Sequence, residues 1–196
     1  MAMERLLLAS SSPRRAEILR SVGWQFDTLA THIDETLTPG EGAEAAVERL
    51  ALEKAEAAAI ERPSALVLGA DTMVVVGSEI LGKPQDETDA RRMLQLLSGG
   101  WHDVLTGVAL VRAASEPRRV VAHERTQVRF GVISTAEIDW YVRSGEPADK
   151  AGAYAIQGRA ALFIEEIRGE YWNIVGLPIR LVYKLVGETS GTGEAE

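Results

Sequence analysis

Two residues in the middle of the chain, Asp71 and Lys83, have the types and spacing to form part of a site. Asp71 lies inside the apolar run from Leu66 to Val76, which is typical of a buried strand. A carboxylate in such a place costs several kcal/mol unless a metal, a cation or a hydrogen-bond network compensates its charge. Lys83 stands between Gly82 and Pro84, at the end of the hairpin that this strand begins. The pattern predicts a site that combines a buried acid with a cation at the rim of the same hairpin.

Arg14 and Arg15 are candidates for binding an anion. Ser12 is a suitable N-cap and Pro13 suits the first position of a helix, so both arginines are expected in the first helical turn. Cations are unfavourable there, because the helix N-terminus carries a partial positive charge. The conflict disappears if a phosphate group binds between the exposed N–H groups and the arginines. The alternative is that both arginines are solvated surface residues.

Lys54 and Glu35 are weaker candidates when judged from the residues alone. Lys54 falls on the apolar stripe of a helix predicted from Glu41 or Gly42 to Glu61. The favoured interpretation is a lysine that extends past the stripe to water. The alternative is a lysine directed into a cleft at the junction of helix and sheet. Glu35 follows the second predicted strand, in a loop where acidic residues are usually only solvated.

The chain as a whole predicts an α/β fold, a mixed sheet with flanking helices. Strands are expected over 5–9, 24–30, 66–84 (a hairpin turning at Gly77 and Ser78), 101–112, 120–132 and 162–167. The segments 101–112 and 120–132 are interpreted as an antiparallel pair joined by a turn at 115–117. Helices are expected over 13–22, 41–61, 87–97, 135–144 and 178–186. Hairpins occur beside crossovers, which favours a mixed sheet over a doubly wound parallel one. One domain is predicted over 1–187, followed by a disordered acidic tail over 188–196.

Composition excludes several classes of function. The chain has 196 residues, 46% of them hydrophobic and 26% charged, as expected of one soluble domain. It has no cysteine, which excludes disulfides and thiolate metal sites. A net charge of −8 argues against broad binding to nucleic acids or anionic membranes. The apolar run near the N-terminus is too short for a signal peptide or a membrane span. We therefore expect a cytoplasmic protein that binds a small molecule, with no nucleic acid and no membrane as partner.

The motifs of several common enzymes are missing from the sequence. It contains no Walker loop, no GxGxxG after the first strand, no HExxH and no GxSxG. The histidines His32, His102 and His123 are far apart and have no zinc-site spacing. Each is expected to be a structural or surface residue.

Several ordered segments resemble the Maf family of nucleoside triphosphate pyrophosphatases. They are LASSSPRRAEIL, IDET, EKA, GADTMVVV, ILGKP, LSGGWHDVLTGVAL, DKAGAYAIQG and NIVGLP, and they extend over almost the whole chain apart from the tail. The resemblance implies a Maf/ITPase-like α/β fold with a cleft between two lobes, and suggests a homodimer. It also implies hydrolysis of a nucleoside triphosphate between the α- and β-phosphates, with a divalent cation, Mg²⁺ or Mn²⁺, as cofactor.

The resemblance assigns roles to single positions. Asp71 matches the catalytic carboxylate, which acts as proton acceptor, and Glu35 and Asp71 match residues that handle the metal. The positions that handle phosphate are Ser10, Arg14, Arg15, Lys54 and Lys83. The three positions associated with substrate choice are Arg14, Thr72 and Gln157.

The substrate-choice positions distinguish two branches of the family. The chain has Pro-Arg-Arg at 13–15, Ala-Asp-Thr at 70–72 and Ile-Gln-Gly at 156–158, which resembles the branch that hydrolyses dTTP and UTP. The branch that acts on 7-methylguanosine triphosphate has a tryptophan after the proline, then Ser-Asp-Gln and Ser-Glu-Gly. The amide of Gln157 can donate to a pyrimidine carbonyl and accept from the ring N–H, which a carboxylate cannot do. Three alternatives stay open: a 7-methyl-GTP pyrophosphatase, a regulator of cell division that binds nucleotides without turnover, and an enzyme for modified pyrimidine nucleotides.

Overall fold

The described part of the chain, residues 4–114 and 117–189 of a computed structural model, forms a mixed sheet with flanking helices. The strands are β1 (Leu6–Leu8), β2 (Phe26–Thr28), β3 (Leu66–Val76), β4 (Glu79–Leu81), β5 (Trp101–Arg112), β6 (Arg118–Phe130) and β7 (Ile164–Arg168). The helices are α1 (Pro13–Ser21), α2 (Ala43–Glu61), α3 (Glu87–Leu97), α4 (Thr135–Arg143), α5 (Tyr171–Val175) and α6 (Ile179–Thr189). Short 3₁₀ turns cover Glu146–Asp149, Ala151–Ala153 and Arg159–Phe163. The predicted fold class is confirmed.

The sheet combines parallel and antiparallel neighbours. Its strand order is β2-β1-β3-β5-β6-β7, and β4 pairs with β3. Strand β1 runs parallel to both β2 and β3, with Leu8 opposite Thr28 and Leu68. The pairs β3–β4 and β6–β7 are antiparallel. Parallel neighbours require crossover helices, which α1 and α2 supply, whereas the antiparallel pair β3–β4 needs only a tight turn.

The structure differs from the predicted elements mainly at their ends. Strand β6 starts and stops two residues earlier than predicted. It ends before Gly131, whose N–H donates to the carbonyl of Phe163. Helix α6 continues to Thr189, with a contact of 4.0 Å between Lys184 and Glu188 in its last turns. The first two residues of the predicted tail are therefore helical. Residues 190–196, like residues 115 and 116 of the predicted turn, lie outside the described part.

No helix in the described residues has the length and apolar character required to cross a membrane.

The chain divides into two compact units, each with its own core. The first comprises the described parts of Met1–Asp71, Thr106–Glu124 and Gly176–Glu196, and the second comprises Thr72–Leu105 and Arg125–Val175. In the first core, small residues of α2 such as Ala51 and Ala55 pack against residues of β1 and β3 such as Val67. The second contains larger side chains of α3, α4 and β6, among them Phe130 and Tyr141. The cleft between two lobes that the resemblance implies stays a prediction.

Gly69 controls how closely α2 approaches β3 in the first unit. A Cβ at this position would overlap the backbone oxygen of Ala51 and lie 2.9 Å from the backbone nitrogen of Ala55. Asp71 is two residues after Gly69 and so lies on the same face of the strand. Lys54 lies one turn after Ala51, on the same face of the helix. The absent side chain of Gly69 thus allows Lys54 and Asp71 to meet.

Candidate active site

Lys54 on α2 and Asp71 on β3 form a buried ion pair at the centre of the predicted site. The Nζ atom of Lys54 lies 2.5 Å from Oδ1 of Asp71 and 2.7 Å from Oε1 of Glu35. Lys54 and Asp71 are each only 8% exposed, whereas the side chain of Glu35 is half exposed. The amine therefore supplies the counter-charge that a buried Asp71 requires. The interpretation of Lys54 as a lysine that reaches water is wrong, because the close packing of α2 on β3 keeps its amine inside.

Arg15 and Ser10 form a second part of the cluster, at the start of α1. Nε of Arg15 donates to the carbonyl oxygen of Gly176 at 2.8 Å, and Nη1 donates to Oγ of Ser10 at 3.3 Å. The same hydroxyl accepts the backbone N–H of Ser12 at 3.1 Å. Ser12 occupies the predicted N-cap position, but its side chain makes no capping bond. These contacts hold Arg15 at the N-terminus of the helix, where an anion is favoured.

The charges of the first unit act on one another. Burial lowers the pKa of the Arg15 guanidinium, the charge of Asp71 raises it, Arg14 lowers it and Glu35 raises it. Arg15 nevertheless stays protonated, as arginines in proteins do. Its guanidinium thus lies within electrostatic reach of both acids and of the neighbouring arginine. The structure brings together six predicted site residues in this unit: Ser10, Arg14, Arg15, Glu35, Lys54 and Asp71.

The carboxylates of Glu35 and Asp71 are the oxygen donors predicted for a divalent cation, and this role stays a prediction. Both lie against one Lys54 nitrogen, so their oxygens converge on a small region. In the described residues, no group of three or more His, Asp or Glu side chains has the arrangement of a metal site. Mg²⁺ is commonly held by one or two carboxylates together with substrate phosphates and water. The two acids fit such an ion if phosphate and water complete its coordination.

Three further predicted residues belong to the second unit. Thr72 follows Asp71 along β3 and is half buried. Lys83 is exposed and lines an open cavity of about 470 Å³ beside the start of α3. Gln157 is exposed and lies in a turn. The 3₁₀ segment Ala151–Ala153 before it is bonded to the residue after β4, because the N–H of Gly152 donates to the carbonyl of Gly82 at 3.0 Å. The roles of Thr72, Lys83 and Gln157 stay predictions.

Arg49 holds the loop that carries Glu35, and no sequence motif indicated this residue. Its Nε and Nη2 donate to the two carboxylate oxygens of Glu41, each at 2.7 Å. Nη2 also donates to the carbonyl of Thr36, the residue after Glu35, at 3.2 Å. Glu41 lies outside the helix and eight residues before Arg49, so helical spacing gives no signal for this contact. A carboxylate bound by both arms of a guanidinium is a strong and directional pair.

Glu41→Gln is expected to reduce kcat/KM by about tenfold, because a loosened loop no longer holds Glu35 against Lys54. The hydrogen bond from Arg49 lowers the pKa of Glu41 from 4.5 to about 2. A depressed carboxyl pKa stabilises the fold above the unfolded-state pKa, and this contribution is lost as the pH falls. The difference in Tm between wild type and variant should therefore be full above pH 4.5 and vanish towards pH 2.

A control for this prediction is Glu56→Gln, on the helix that carries Arg49, which removes an exposed ion pair with Arg119. It should leave both activity and Tm almost unchanged. A Glu41→Gln protein with wild-type kcat/KM, or with the same Tm deficit at pH 2.5 and pH 7, would contradict the role given to the loop.

The chain is similar to known proteins in both sequence and fold. A dTTP/UTP pyrophosphatase of Symbiobacterium thermophilum is 53% identical over 184 residues, which cover 94% of this chain and 93% of the relative. A dTTP/UTP pyrophosphatase of Bacillus cytotoxicus is 45% identical over 194 residues, covering 98% and 100%. Among solved structures, a HAM1 protein from Coxiella burnetii has a similar fold, with a TM-score of 0.52, 16% identity, and coverage of 95% of this chain and 100% of that one.

The family itself follows from the extent of the sequence match. A family model described as Maf-like protein matches residues 5–189. That span includes every candidate residue of the site and nearly all of both units. The chain belongs to the Maf family.

Proposed function

We propose that this protein is a nucleoside triphosphate pyrophosphatase that hydrolyses dTTP and UTP to the monophosphate and pyrophosphate. The observation that carries the proposal is the buried amine of Lys54 between the carboxylates of Asp71 and Glu35, with Arg15 in electrostatic reach. Two acids and several cations in one cluster are the groups that phosphoryl chemistry requires. The names of the relatives that are about half identical to this chain also support this activity.

The basic residues have the task of binding the triphosphate. Arginines offer forked donors to phosphate oxygens, and lysines offer compact charges. Arg15, which is hydrogen-bonded to Ser10 at the N-terminus of α1, would bind one phosphate group. Arg14, Lys54 and Lys83 would offset the remaining negative charge.

Asp71 acts as the general base in the proposed mechanism. Its carboxylate takes a proton from the attacking water, whose oxygen forms a bond to the α-phosphorus. The bond from the α-phosphorus to the bridging oxygen breaks, and pyrophosphate leaves with the electron pair. Lys54 holds Asp71 in place through the 2.5 Å contact. The cations stabilise the negative charge on the leaving group.

The divalent cation, Mg²⁺ or Mn²⁺, is part of this proposal. Glu35 and Asp71 would hold it, directly or through water. When bound, such an ion polarises phosphate oxygens and offsets their charge.

Substrate choice is assigned to Arg14, Thr72 and Gln157. The Gln157 amide would read the carbonyl and ring N–H that uracil and thymine share.

The acidic, cysteine-free composition supports a location in the cytoplasm. The family resemblance supports a homodimer.

The proposal is tested by measuring kcat/KM in the presence of Mg²⁺, with the release of pyrophosphate as the assay. The substrates are UTP, dTTP, base-modified pyrimidine analogues and 7-methylguanosine triphosphate. UTP and dTTP, or pyrimidine analogues of them, should be the best substrates. A strong preference for 7-methylguanosine triphosphate would overturn the branch assignment. Tight binding of UTP without release of pyrophosphate would instead identify a nucleotide-binding regulator.

A further inference from the structure

Gln157 lies in a turn whose backbone is held on both sides of the glutamine. The turn is closed by a hydrogen bond of 3.0 Å from the N–H of Gly158 to the carbonyl of Ala155. The side chain of Gln157 is exposed, so packing does not fix it. An exposed amide can read a base only if its backbone has a defined position. The groups that bind this backbone therefore matter for substrate choice.

Tyr141 of α4 binds the first side of the turn. Its hydroxyl accepts the N–H of Ala155 at 3.2 Å and donates to Oε1 of Glu146 at 2.9 Å. The ring is fully buried and packs edge-on against Phe163, with 5.5 Å between the ring centres. Burial, followed by the contact with Glu146, raises the pKa of the Tyr141 hydroxyl above its usual value. The hydroxyl thus stays protonated and keeps both bonds at working pH.

Glu146 binds the other side of the turn. Its Oε2 accepts the N–H of Arg159 at 3.1 Å, while Oε1 accepts the tyrosine hydroxyl. A Cβ at position 158 would overlap this carboxylate, so a larger residue there would displace the side chain of Glu146. Tyr141, Glu146 and the backbone of residues 155 and 159 form one continuous hydrogen-bond network around Gln157.

We propose that Tyr141 and Glu146 are positioning residues that set the discrimination between uracil and cytosine through Gln157. The inference rests on the role given to Gln157 in the proposed function. Cytosine has an amino group and a bare ring nitrogen where uracil has a carbonyl and an N–H, so an amide separates the two bases only if its oxygen and its nitrogen are held in one order. In this proposal the fixed backbone of the turn favours the order that pairs with uracil. Neither positioning residue needs to touch the substrate, because each acts on the backbone of the turn.

The test measures kcat/KM for UTP and for CTP in five proteins: wild type, Gln157→Ala, Tyr141→Phe, Glu146→Gln and the double variant Tyr141→Phe/Gln157→Ala. Gln157→Ala should lower the UTP/CTP ratio on the order of tenfold. Tyr141→Phe and Glu146→Gln should each lower it about fivefold, mainly through a higher KM for UTP. In the double variant, Tyr141→Phe should cause no further loss, because the amide that it positions is gone.

Tyr154→Phe is the matched control. It removes a second buried hydroxyl of the same unit, one that is bonded to Nε2 of His102 at 2.9 Å and not to the turn. We expect it to lower Tm without changing the UTP/CTP ratio.

The outcomes distinguish the role of Gln157 from the roles of Tyr141 and Glu146. An unchanged ratio in Gln157→Ala would show that the proposed role of Gln157 is wrong, and the inference would fall with it. A lowered ratio in Gln157→Ala with an unchanged ratio in Tyr141→Phe and Glu146→Gln would overturn the positioning role alone. A loss in the double variant equal to the product of the single losses would overturn it as well.

Discussion

Asp71→Asn is expected to lower kcat for UTP with Mg²⁺ by on the order of a hundredfold or more. The amide has almost the shape of the carboxylate and can still accept a hydrogen bond from Lys54, but it cannot take a proton from water. The fold should persist, because Glu35 also pairs with the lysine, at 2.7 Å. The measurement is the steady-state rate of pyrophosphate release at saturating UTP, with nucleotide affinity determined separately.

Asp27→Asn is a suitable control for this experiment. Asp27 forms an exposed ion pair with Arg5 at 2.7 Å in the same unit, so its loss changes the charge in the same way without touching the site. It should keep wild-type turnover. An Asp71→Asn protein with nearly full turnover would contradict the assignment of Asp71 as base.

Lys54→Met is expected to cause the largest loss of stability among the site variants. It leaves Asp71, which is only 8% exposed, without its cation. Removal of one partner of a buried ion pair costs about 3 kcal/mol in the free energy of unfolding. Activity should fall together with stability, since the base is then no longer held in place. Urea unfolding at neutral pH measures the first effect.

The double variant Lys54→Met/Asp71→Asn separates charge from packing. It leaves no unpaired charge in the buried pair, so most of the lost stability should return although activity does not. Lys184→Met is the matched control, because the side chain of Lys184 is 70% exposed. If Lys54→Met were as stable as Lys184→Met, the amine of Lys54 would not be the counter-charge of Asp71.

The fold class follows from the sequence because hydrophobic patterns and turn residues are local signals. Helix α3 and strand β5 have the predicted bounds, and the capping box between Ser134 and Glu137 opens α4 as expected. The segment 151–153 escaped prediction for a physical reason. Gly152 and Ala153 both have a positive φ, and the space around Gly152 is limited by Val74 of β3. The backbone preference of alanine does not favour a positive φ, so this conformation at Ala153 is a consequence of tertiary packing.

The candidate site was only partly predictable for a similar reason. The apolar stripe of α2 places Lys54 towards the sheet but does not say whether its amine meets water or a carboxylate. Gly69 determines where the amine of Lys54 lies, because its missing side chain lets Ala51 of α2 approach β3. Arg15 was predicted as an anion ligand, but its bond to the carbonyl of Gly176 joins residues 161 positions apart. Contacts of such separation leave no periodic pattern in a single sequence.

Hydrolysis of UTP in ¹⁸O-labelled water tests the central claim most directly. If the water that gives its proton to Asp71 attacks the α-phosphorus, the label must appear in UMP, and the second product must be unlabelled pyrophosphate. The same experiment with Asp71→Asn should give the same labelling at a rate on the order of a hundredfold lower. Label in the pyrophosphate, or UDP and inorganic phosphate as products, would contradict the account.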